Sequence, residues 1–562
     1  MQYPLSRSGQ KGACCCRVLL SAVFAALLLS GCVTKLALDS PPAGPVLSDL
    51  TPVEQAALLD KTGQLHLQWP EQRSERQGLN NRRRFFAYAG QGELIVDMQQ
   101  ARQLQLAING QLLSLQQPDN GQPFKVDLSG YTRSGDNQLR LITLEPADAS
   151  IALAIPFPTL QQPAQPEVDS PFNAVDQLIH AEVAAGFPGA VLLVVHQGRI
   201  IKETAYGYAS RYDSVGQLLA APEPMQTDTL FDIASNTKMY ATNYALMQLV
   251  SHGMLDINQP LSFYLPEYRG EGREQLKVRD LLQHSSGYAP EVHFHRPDNR
   301  NGVEFYSLNK AYTDYLLLQR VPFAAERGWT ARYSDINYML LGILVERLTA
   351  QPLDHFVEQR LYQPLGLTRT LFNPLQKGVL AQQIAATELD GNSRGGRVSF
   401  PANRNGVIRG EVHDEKAFHA LEGVAGHAGL FSSARELAVL MSVAAQQGGY
   451  GWQRLFNVPT LAQFVSPSSL DHRFGLGWRT ATAGDLGWHF GAYASDTAYG
   501  HTGWTGVATV IDPSEHLLVV LLTNKKHSPI VPDGSQGYQF SGDSFETGRY
   551  GTILSLIYEA LH

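Results

Sequence analysis

The chain has 562 residues, of which 44% are hydrophobic and 17% are charged, as in a globular protein with a sizeable core. It is too long for one ordinary domain. Its formal charge is −8, and the 31 N-terminal residues contain basic side chains but no acidic ones, so the remainder is more acidic still. Such a surface does not attract phosphate backbones, and nucleic acid is therefore excluded as the main partner.

The N-terminal segment, residues 1–31, predicts export. A largely apolar run from Val18 to Leu29 follows three basic residues, which is the layout of a signal peptide and too short to span a bilayer comfortably. The run ends in Leu-Ser-Gly-Cys32, which resembles the lipobox of bacterial lipoproteins. That resemblance implies cleavage before Cys32, lipidation of its thiol and attachment to a membrane facing the periplasm. Val33 after it favours the outer over the inner membrane, and an uncleaved apolar anchor is the alternative.

Residues 32–81 are mostly polar or irregular, with Pro41, Pro42 and Pro45 close together, and predict a tether. Residues 82–160 then alternate with period two between turn residues, which predicts a small all-β sandwich. Residues 127–141 within it resemble the closing strands of galactose-binding-like jelly rolls. The sandwich is therefore either a carbohydrate-binding module or a spacer.

Residues 161–171 form a second proline-containing linker, and residues 172–562 predict an α+β domain. A helix face over 172–185 is followed by two strands joined at Gln197-Gly198. Near the other end, residues 506–511 and 516–523 predict a second antiparallel pair, before a closing helix over 551–561. Strands at both ends and helices between them indicate one antiparallel sheet built from the two termini.

Ser235 and Lys238 form a Ser-x-x-Lys pair at the start of a helical run. The spacing places both side chains on one helix face, where a neutral amine can take the proton of the hydroxyl. The helix N-terminus adds a favourable dipole and the Ser235 N–H for a developing oxyanion. This pattern is common by chance, so it needs support from the rest of the chain.

Two later segments supply that support. Tyr333 and Asp335 precede an apolar helix, and His501-Thr502-Gly503 stands just before the strand at 506–511. A strand edge that carries a potential cation and a hydroxyl before a glycine lets a substrate backbone lie alongside it.

Together, these three motifs resemble, in order, those of the serine β-lactamase and D-alanyl-D-alanine carboxypeptidase superfamily, on its class C-like branch. The stretch from Arg409 to Glu415, followed by Gly423-Val-Ala-Gly-His-Ala-Gly, is most similar to penicillin-binding protein 4B. The resemblance covers residues 172–562. It implies a β-lactamase/transpeptidase-like fold, in which an antiparallel sheet is flanked by helices beside a helical subdomain.

The resemblance also implies roles for individual residues. Ser235 is the nucleophile, Lys238 and Tyr333 share the proton transfers, and the N–H groups of Ser235 and Trp504 form the oxyanion hole. The substrate-binding residues would be Asp335, His501, Thr502 and Gly503, with His501 and Thr502 facing the substrate's carboxylate.

Two positions depart from the commonest pattern of the superfamily. Asp335 stands where Asn is usual, and a carboxylate there is expected to raise the pKa of Lys238 and weaken it as a resting base. His501 stands where Lys is usual, and its charge near neutral pH is conditional.

No metal or cofactor is predicted. His293 and His295 alternate like strand ligands, and His284 or His413 could join them, but no His-Glu-x-x-His pattern or Gly-rich phosphate loop is present. His427 is interpreted as a residue of the pocket wall or a loop anchor.

The favoured function is a serine D-alanyl-D-alanine carboxypeptidase or penicillin-binding protein that acts on peptidoglycan stem peptides, with β-lactams as covalent inhibitors. An esterase or β-lactamase on the same scaffold is the first alternative. A cell-wall binding protein with a vestigial hydrolase is the second.

Overall fold

The computed structural model describes residues 46–47, 62–69, 81–162, 171–325, 330–484, 486–535 and 537–562. The predicted signal segment, Cys32 and most of the predicted tether lie outside these residues. Within them, no helix combines the length and the hydropathy needed to cross a membrane.

The N-terminal part is a sandwich of two antiparallel sheets. One sheet has the order β1-β7-β4-β9-β2 and the other the order β3-β8-β5-β6. Its strands are β1 (Val46–Leu47), β2 (Leu65–Trp69), β3 (Arg82–Ala87), β4 (Glu93–Asp97), β5 (Gln103–Ile108), β6 (Gln111–Gln116), β7 (Phe124–Asp127), β8 (Gly135–Glu145) and β9 (Ile151–Ile155). The inward residues of both sheets form one apolar core, which confirms the predicted all-β region.

The predicted boundary between tether and sandwich, at residue 81, is wrong. β2 pairs with β9 over its whole length, and Leu65 and Leu67 are buried in the sandwich core. β1 likewise pairs with β7. The alternation in β2 covers only five residues, which is too short to stand out beside the prolines and polar residues around it.

The C-terminal part contains the remaining strands and the helices. The strands are β10 (Gly189–His196), β11 (Arg199–Tyr212), β12 (Leu218–Pro224), β13 (Phe231–Asp232), β14 (Leu371–Phe372), β15 (Ala386–Glu388), β16 (Ile408–Arg409), β17 (Leu430–Ser432), β18 (Gly449–Tyr450), β19 (Gln453–Arg454), β20 (Arg479–Thr480), β21 (Tyr499–Gly503), β22 (Val507–Asp512), β23 (Leu517–Thr523), β24 (Ile530–Pro532) and β25 (Tyr538–Phe540). The α-helices are α1 (Asn173–Ala184), α2 (Tyr244–Ser251), α3 (Leu261–Tyr264), α4 (Val278–Leu282), α5 (Lys310–Gln319), α6 (Asp335–Thr349), α7 (Leu353–Val357), α8 (Glu415–Ala420), α9 (Ala434–Ala445), α10 (Val458–Val465), α11 (Gly487–Phe490), α12 (Glu546–Arg549) and α13 (Gly551–Leu561).

A seven-stranded antiparallel sheet organises this part, in the order β12-β11-β10-β23-β22-β21-β20. β10 from the start of the domain pairs with β23 from its end, from Ala190 opposite Thr523 to His196 opposite Leu517. The predicted sheet built from both termini, and the predicted α+β class, are therefore confirmed.

The sheet is covered on both faces, which explains why its central strands are apolar throughout. Val191, Leu193 and Val195 face the large core shared with the helical region. Leu192 and Val194 face a second core formed with α1 and α13. The site described below lies on the helical side, at the β21 edge.

The sandwich packs on the end of the sheet that carries the β10–β11 and β22–β23 turns. Tyr88 lies edge-on to His516 in the second turn, with ring centroids 5.9 Å apart. Its ring also covers Gly198, where a Cβ would come within 2.5 Å of it, so only glycine fits. Gln91 Nε2 donates to the carbonyl of Gln197 at 2.7 Å.

A second set of contacts involves the β18–β19 hairpin. Gly63 donates its N–H to the carbonyl of Trp452 at 3.0 Å, and Phe157 donates to that of Gly451 at 2.8 Å. The described residues from position 46 onward thus belong to one compact unit. The sandwich is a fixed part of this unit, at this end of the sheet.

We expect Tyr88→Ala to uncouple the two parts. Loss of a buried aromatic ring typically costs about 3 kcal/mol or more in the free energy of unfolding. Differential scanning calorimetry should show one transition for the wild type and two for the variant, with the sandwich unfolding first.

Leu112→Ala is the matched control, because Leu112 lies on the exposed surface of the sandwich. A single transition at the wild-type temperature for Tyr88→Ala would contradict the tight coupling of the two parts.

Candidate active site

Ser235 lies in a single 3-10 turn, Ala234–Asn236, directly after β13. Ala234 has a φ of 46°, in the left-handed region that side chains with a Cβ rarely adopt. The buried Asp232 carboxylate accepts the N–H of Ala234 at 2.8 Å and that of His413 at 2.6 Å. These bonds hold a strained turn of the kind that is concentrated at functional sites.

Lys238 follows at the start of a π-helical segment, Lys238–Asn243, that continues into α2. Its side chain is fully buried. Nζ donates to Ser235 Oγ at 3.0 Å and to the carbonyl of His427 at 3.0 Å. The structure therefore brings Ser235 and Lys238 into direct contact, as their spacing predicts.

Asp335 opens α6, where a carboxylate is favoured by the helix dipole, and its Oδ1 lies 3.0 Å from Lys238 Nζ. Burial alone would favour the neutral amine, but the Asp335 carboxylate and the Tyr333 phenol outweigh burial and raise the pKa of Lys238. Burial also opposes ionisation of Asp335, yet Lys238 and Lys416 lower the pKa of that carboxyl to about 2. Lys238 is therefore an ammonium group in the resting site, which is the direction expected from the sequence.

Tyr333 lies over this ion pair, with its ring centroid 5.0 Å from Lys238 Nζ. The ring packs on that of His284 at a centroid distance of 4.6 Å. Burial lowers the pKa of His284 to about 3, so this histidine is a neutral support. The Tyr333 hydroxyl is buried and lies beside Lys238, whose pKa it helps to raise.

The end of β21 packs closely against the turn Ala234–Asn236, which carries Ser235. A Cβ at Gly503 would lie 2.5 Å from the carbonyl oxygen of Ile233, so glycine is required there. Thr505 Oγ1 donates to the carbonyl of Asp232 at 2.7 Å and fixes the β21–β22 turn in place. The end of β21 and the residues that follow it, up to Thr505, are thereby held against the turn that carries Ser235.

His501 does not supply the positive charge that a lysine at its position would supply. It is buried, and burial, together with Arg479 and Lys238, holds the pKa of His501 well below its ordinary value. Its Nδ1 lies 2.7 Å from the carbonyl of Thr502. The imidazole is neutral at physiological pH, while Thr502 remains partly exposed on the strand edge.

Arg479 provides a cation next to His501, and no sequence motif points to it. β20 pairs with β21 and sets Arg479 opposite Gly500. The guanidinium carbon lies 5.8 Å from the centroid of the Tyr333 ring, 5.1 Å from that of Phe474 and 5.6 Å from that of Trp488. No acidic side chain in the described ranges pairs with it, and its Nε is buried without a hydrogen bond.

A cavity of about 550 Å³ opens on Ser235. Its wall also includes Tyr333, Trp504 and a group of charged side chains around Lys416. Trp504 lies stacked on the ring of His413, with ring centroids 4.6 Å apart. The cavity has room for a peptide segment beside the nucleophile.

The candidate metal ligands have other partners. His413 Nε2 lies 2.7 Å from Glu388, and His295 packs against Phe400. Asp335, Asp414 and His427 do bring ligand atoms within 4.8 Å of one another. Ammonium groups already pair with these carboxylates, as Lys238 does with Asp335, so a metal ion does not suit this cluster.

His427 anchors the loop that caps Lys238. Its Nε2 lies 3.1 Å from Asp414 Oδ1, and its carbonyl accepts from Lys238. Gly426 before it packs so closely on α6 that a Cβ would lie 2.9 Å from the N atom of Gly342. The geometry agrees with the interpretation of His427 as a loop anchor.

Comparison with known proteins agrees with this geometry. Residues 175–536 match the Beta-lactamase family. The chain is 48% identical over 394 residues to "N-acetylmuramyl-L-alanine amidase" of Bacillus subtilis (strain 168), covering 69% of this chain and 88% of that protein. It is 42% identical over 395 residues to "Putative D-alanyl-D-alanine carboxypeptidase" of Escherichia coli (strain K12), covering 69% and 90%. The chain belongs to the Beta-lactamase family.

The fold is shared with a solved structure. A penicillin-binding protein homologue from Caulobacter crescentus superposes with a TM-score of 0.51 at 19% identity, over 70% of this chain and 98% of that one. This likeness supports the β-lactamase/transpeptidase-like fold of the C-terminal part, with the all-β region as an addition in front of it.

Asp335→Asn should lower the pKa of Lys238, because burial of the amine is then no longer outweighed by a carboxylate. We expect acylation by benzylpenicillin to become faster at pH 7, by about tenfold for each pKa unit lost. The rise of the acylation rate with pH should move to lower pH. Stopped-flow or quenched-flow measurement of adduct formation between pH 5.5 and 10 checks this.

Asp471→Asn is the matched control, since Asp471 pairs with Arg473 away from Lys238. An unchanged pH profile in Asp335→Asn would show that the ionisation of Lys238 does not govern acylation.

Proposed function

We propose that the chain is a serine D-alanyl-D-alanine carboxypeptidase that acts on peptidoglycan stem peptides through a Ser235 acyl-enzyme. The observation that carries the proposal is the 3.0 Å contact between Ser235 Oγ and Lys238 Nζ beside the β21 edge. The family supplies the reaction class, and a relative at 42% identity carries the name of this activity.

The proposed reaction uses each group in turn. Ser235 Oγ attacks the carbonyl carbon of the penultimate D-alanine, and its proton passes to Lys238 in the neutral form of the amine. The N–H groups of Ser235 and Trp504 stabilise the oxyanion, where each such donor contributes about 3 kcal/mol to catalysis. Tyr333 relays a proton to the leaving amine, the C–N bond breaks, and water then hydrolyses the ester.

The position of Arg479 favours a substrate whose leaving group carries a free carboxylate. Tyr333 must be near the leaving nitrogen to give it a proton, and the Arg479 guanidinium lies against the Tyr333 ring. The carboxylate of a terminal D-alanine is one carbon away from that nitrogen. A guanidinium binds a carboxylate by two parallel hydrogen bonds, and Arg479 has no other acidic partner among the described residues.

The first test is intact-mass analysis of the full-length chain in detergent, after incubation with benzylpenicillin. We expect one covalent adduct per chain, mapped to Ser235 and absent from Ser235→Ala. An intact antibiotic without an adduct, together with cleavage of short-chain esters, would favour the esterase. Rapid turnover of the antibiotic would favour a β-lactamase.

A second measurement separates the two activities that the relatives' names suggest. Disaccharide pentapeptide is incubated with the enzyme, and the products are separated by mass spectrometry. Loss of a single alanine from the C-terminus supports the carboxypeptidase. Release of the whole stem peptide from the sugar would overturn the proposal in favour of an amidase.

Arg479→Gln should reduce kcat/KM for a peptide ending in D-Ala-D-Ala by about 10- to 100-fold, since a charge-assisted hydrogen bond contributes about 1.5–3 kcal/mol. Hydrolysis of a short-chain ester without a carboxylate should change less than about threefold by the same reasoning. Steady-state kinetics on both substrates checks the difference.

Arg473→Gln is the control, because Arg473 pairs with Asp471 at 2.8 Å. Equal losses on the peptide and the ester in Arg479→Gln would mean that the residue supports the site without recognising the carboxylate.

We also infer that the enzyme is exported and held at a membrane by lipid on Cys32. The basis is the signal-like segment and its Leu-Ser-Gly-Cys ending. Intact-mass analysis of the protein extracted from the membrane pellet should show a mature chain that begins at a lipidated Cys32. A chain that still carries residues 1–31, without lipid, would indicate the uncleaved apolar anchor instead.

A further inference from the structure

The active site contains a second buried ammonium group, that of Lys416. Lys416 lies on α8, and only 4% of its side chain is exposed. Its Nζ lies 3.0 Å from Asp414 Oδ2, 3.0 Å from Glu291 Oε2 and 3.5 Å from Asp335 Oδ2. Burial would favour a neutral amine, but Asp414, Asp335 and Glu291 raise the pKa of Lys416 well above its ordinary value.

Asp335 is consequently shared between two cations. Its Oδ1 contacts Lys238 at 3.0 Å, and its Oδ2 faces Lys416 at 3.5 Å. A second positive charge next to the carboxylate cancels part of the field that the carboxylate exerts on Lys238. It contacts the Asp335 oxygen that does not face Lys238, so the carboxylate lies between two amines.

We propose that Lys416 is a positioning residue for acylation, which restrains Asp335 and offsets its negative charge so that Lys238 can still release a proton and act as the base for Ser235. This inference rests on the proposed function, in which Lys238 accepts the Ser235 proton. A positive charge at Lys416 explains how Lys238 can still lose its proton although the Asp335 carboxylate lies next to it.

One further group, His427, acts on the same carboxylate, because its ring nitrogen lies within 4.8 Å of an Asp335 oxygen. The titratable side chains around Lys238 are Asp335, Tyr333, His284 and His501, and burial keeps both histidines neutral. Those around Lys416 are Asp335, Asp414, Glu291 and Glu415, with His427 and Arg394 facing the same carboxylates. Of the cations, Lys416 is the one that contacts Asp335 besides Lys238 within the described residues.

Asp414 supports Lys416 from its other side. It caps α8 by accepting the N–H of Ala417 at 2.8 Å, and it also faces His427. Although burial opposes its ionisation, Lys416 and His427 hold the pKa of Asp414 well below its ordinary value. Lys416 therefore remains in place as a cation even when Asp335 is replaced, which makes a double-mutant cycle interpretable.

The test is a cycle of four proteins: wild type, Lys416→Met, Asp335→Asn and the double variant. The rate of Ser235 acylation by benzylpenicillin is measured for each from pH 5.5 to 10. We expect Lys416→Met to slow acylation at pH 7 by about tenfold for each unit by which the pKa of Lys238 rises. The acylation rate of Lys416→Met should begin to rise at a higher pH than that of the wild type.

In the Asp335→Asn background, the same Lys416→Met change should alter the rate much less and displace the profile little. Lys416→Arg keeps the charge and should restore a profile close to that of the wild type. Thermal melts establish that each variant is folded.

Equal slowing by Lys416→Met in both backgrounds, without displacement of the pH profile, would overturn the inference and leave Lys416 a purely structural residue. If Lys416→Met does not fold, Lys416→Gln replaces it in the cycle with the same expectations. Absence of acylation in the wild type would instead refute the proposed function, and that outcome is visible before any variant is compared.

Discussion

The ammonium group of Lys238 is the constraint around which the site is built. A charge so deeply buried is costly unless it is paired and hydrogen-bonded. Asp335 supplies the opposite charge. The His427 carbonyl and Ser235 Oγ accept hydrogen bonds from the ammonium group, and the ring of Tyr333 covers it. The same contacts that satisfy the charge also fix the distance between amine and nucleophile.

Backbone geometry provides the rest of the catalytic arrangement. The left-handed Ala234 turns Ser235 out of the chain, and the absence of a side chain at Gly503 lets the β21 edge approach that turn. Asp232 ties both parts together, because its carboxylate holds the Ala234 N–H and its carbonyl accepts from Thr505. Strain in this short segment is thus held by hydrogen bonds that also tie it to His413 and Thr505.

Much of this could be predicted from the sequence, where the signal is local. The spacing of Ser235 and Lys238 fixes their contact, and continuous apolar runs predict the central strands. The contacts of Arg479 and Lys416 could not be predicted, because they depend on strand pairing and helix placement between segments far apart in the chain. The neutral state of His501 depends on burial, which its neighbours in sequence do not reveal.

The position of the sandwich has an evolutionary consequence. It contacts the β10–β11 and β22–β23 turns, whereas the β21–β22 turn beside Ser235 lies at the opposite end of β22, about 20 Å away for a strand of six residues. Selection on the chemistry of the cleft and selection on the sandwich therefore act on separate surfaces. The sandwich is free to diverge, or to be exchanged for another module, as long as its contacts with these two turns and with the β18–β19 hairpin are kept.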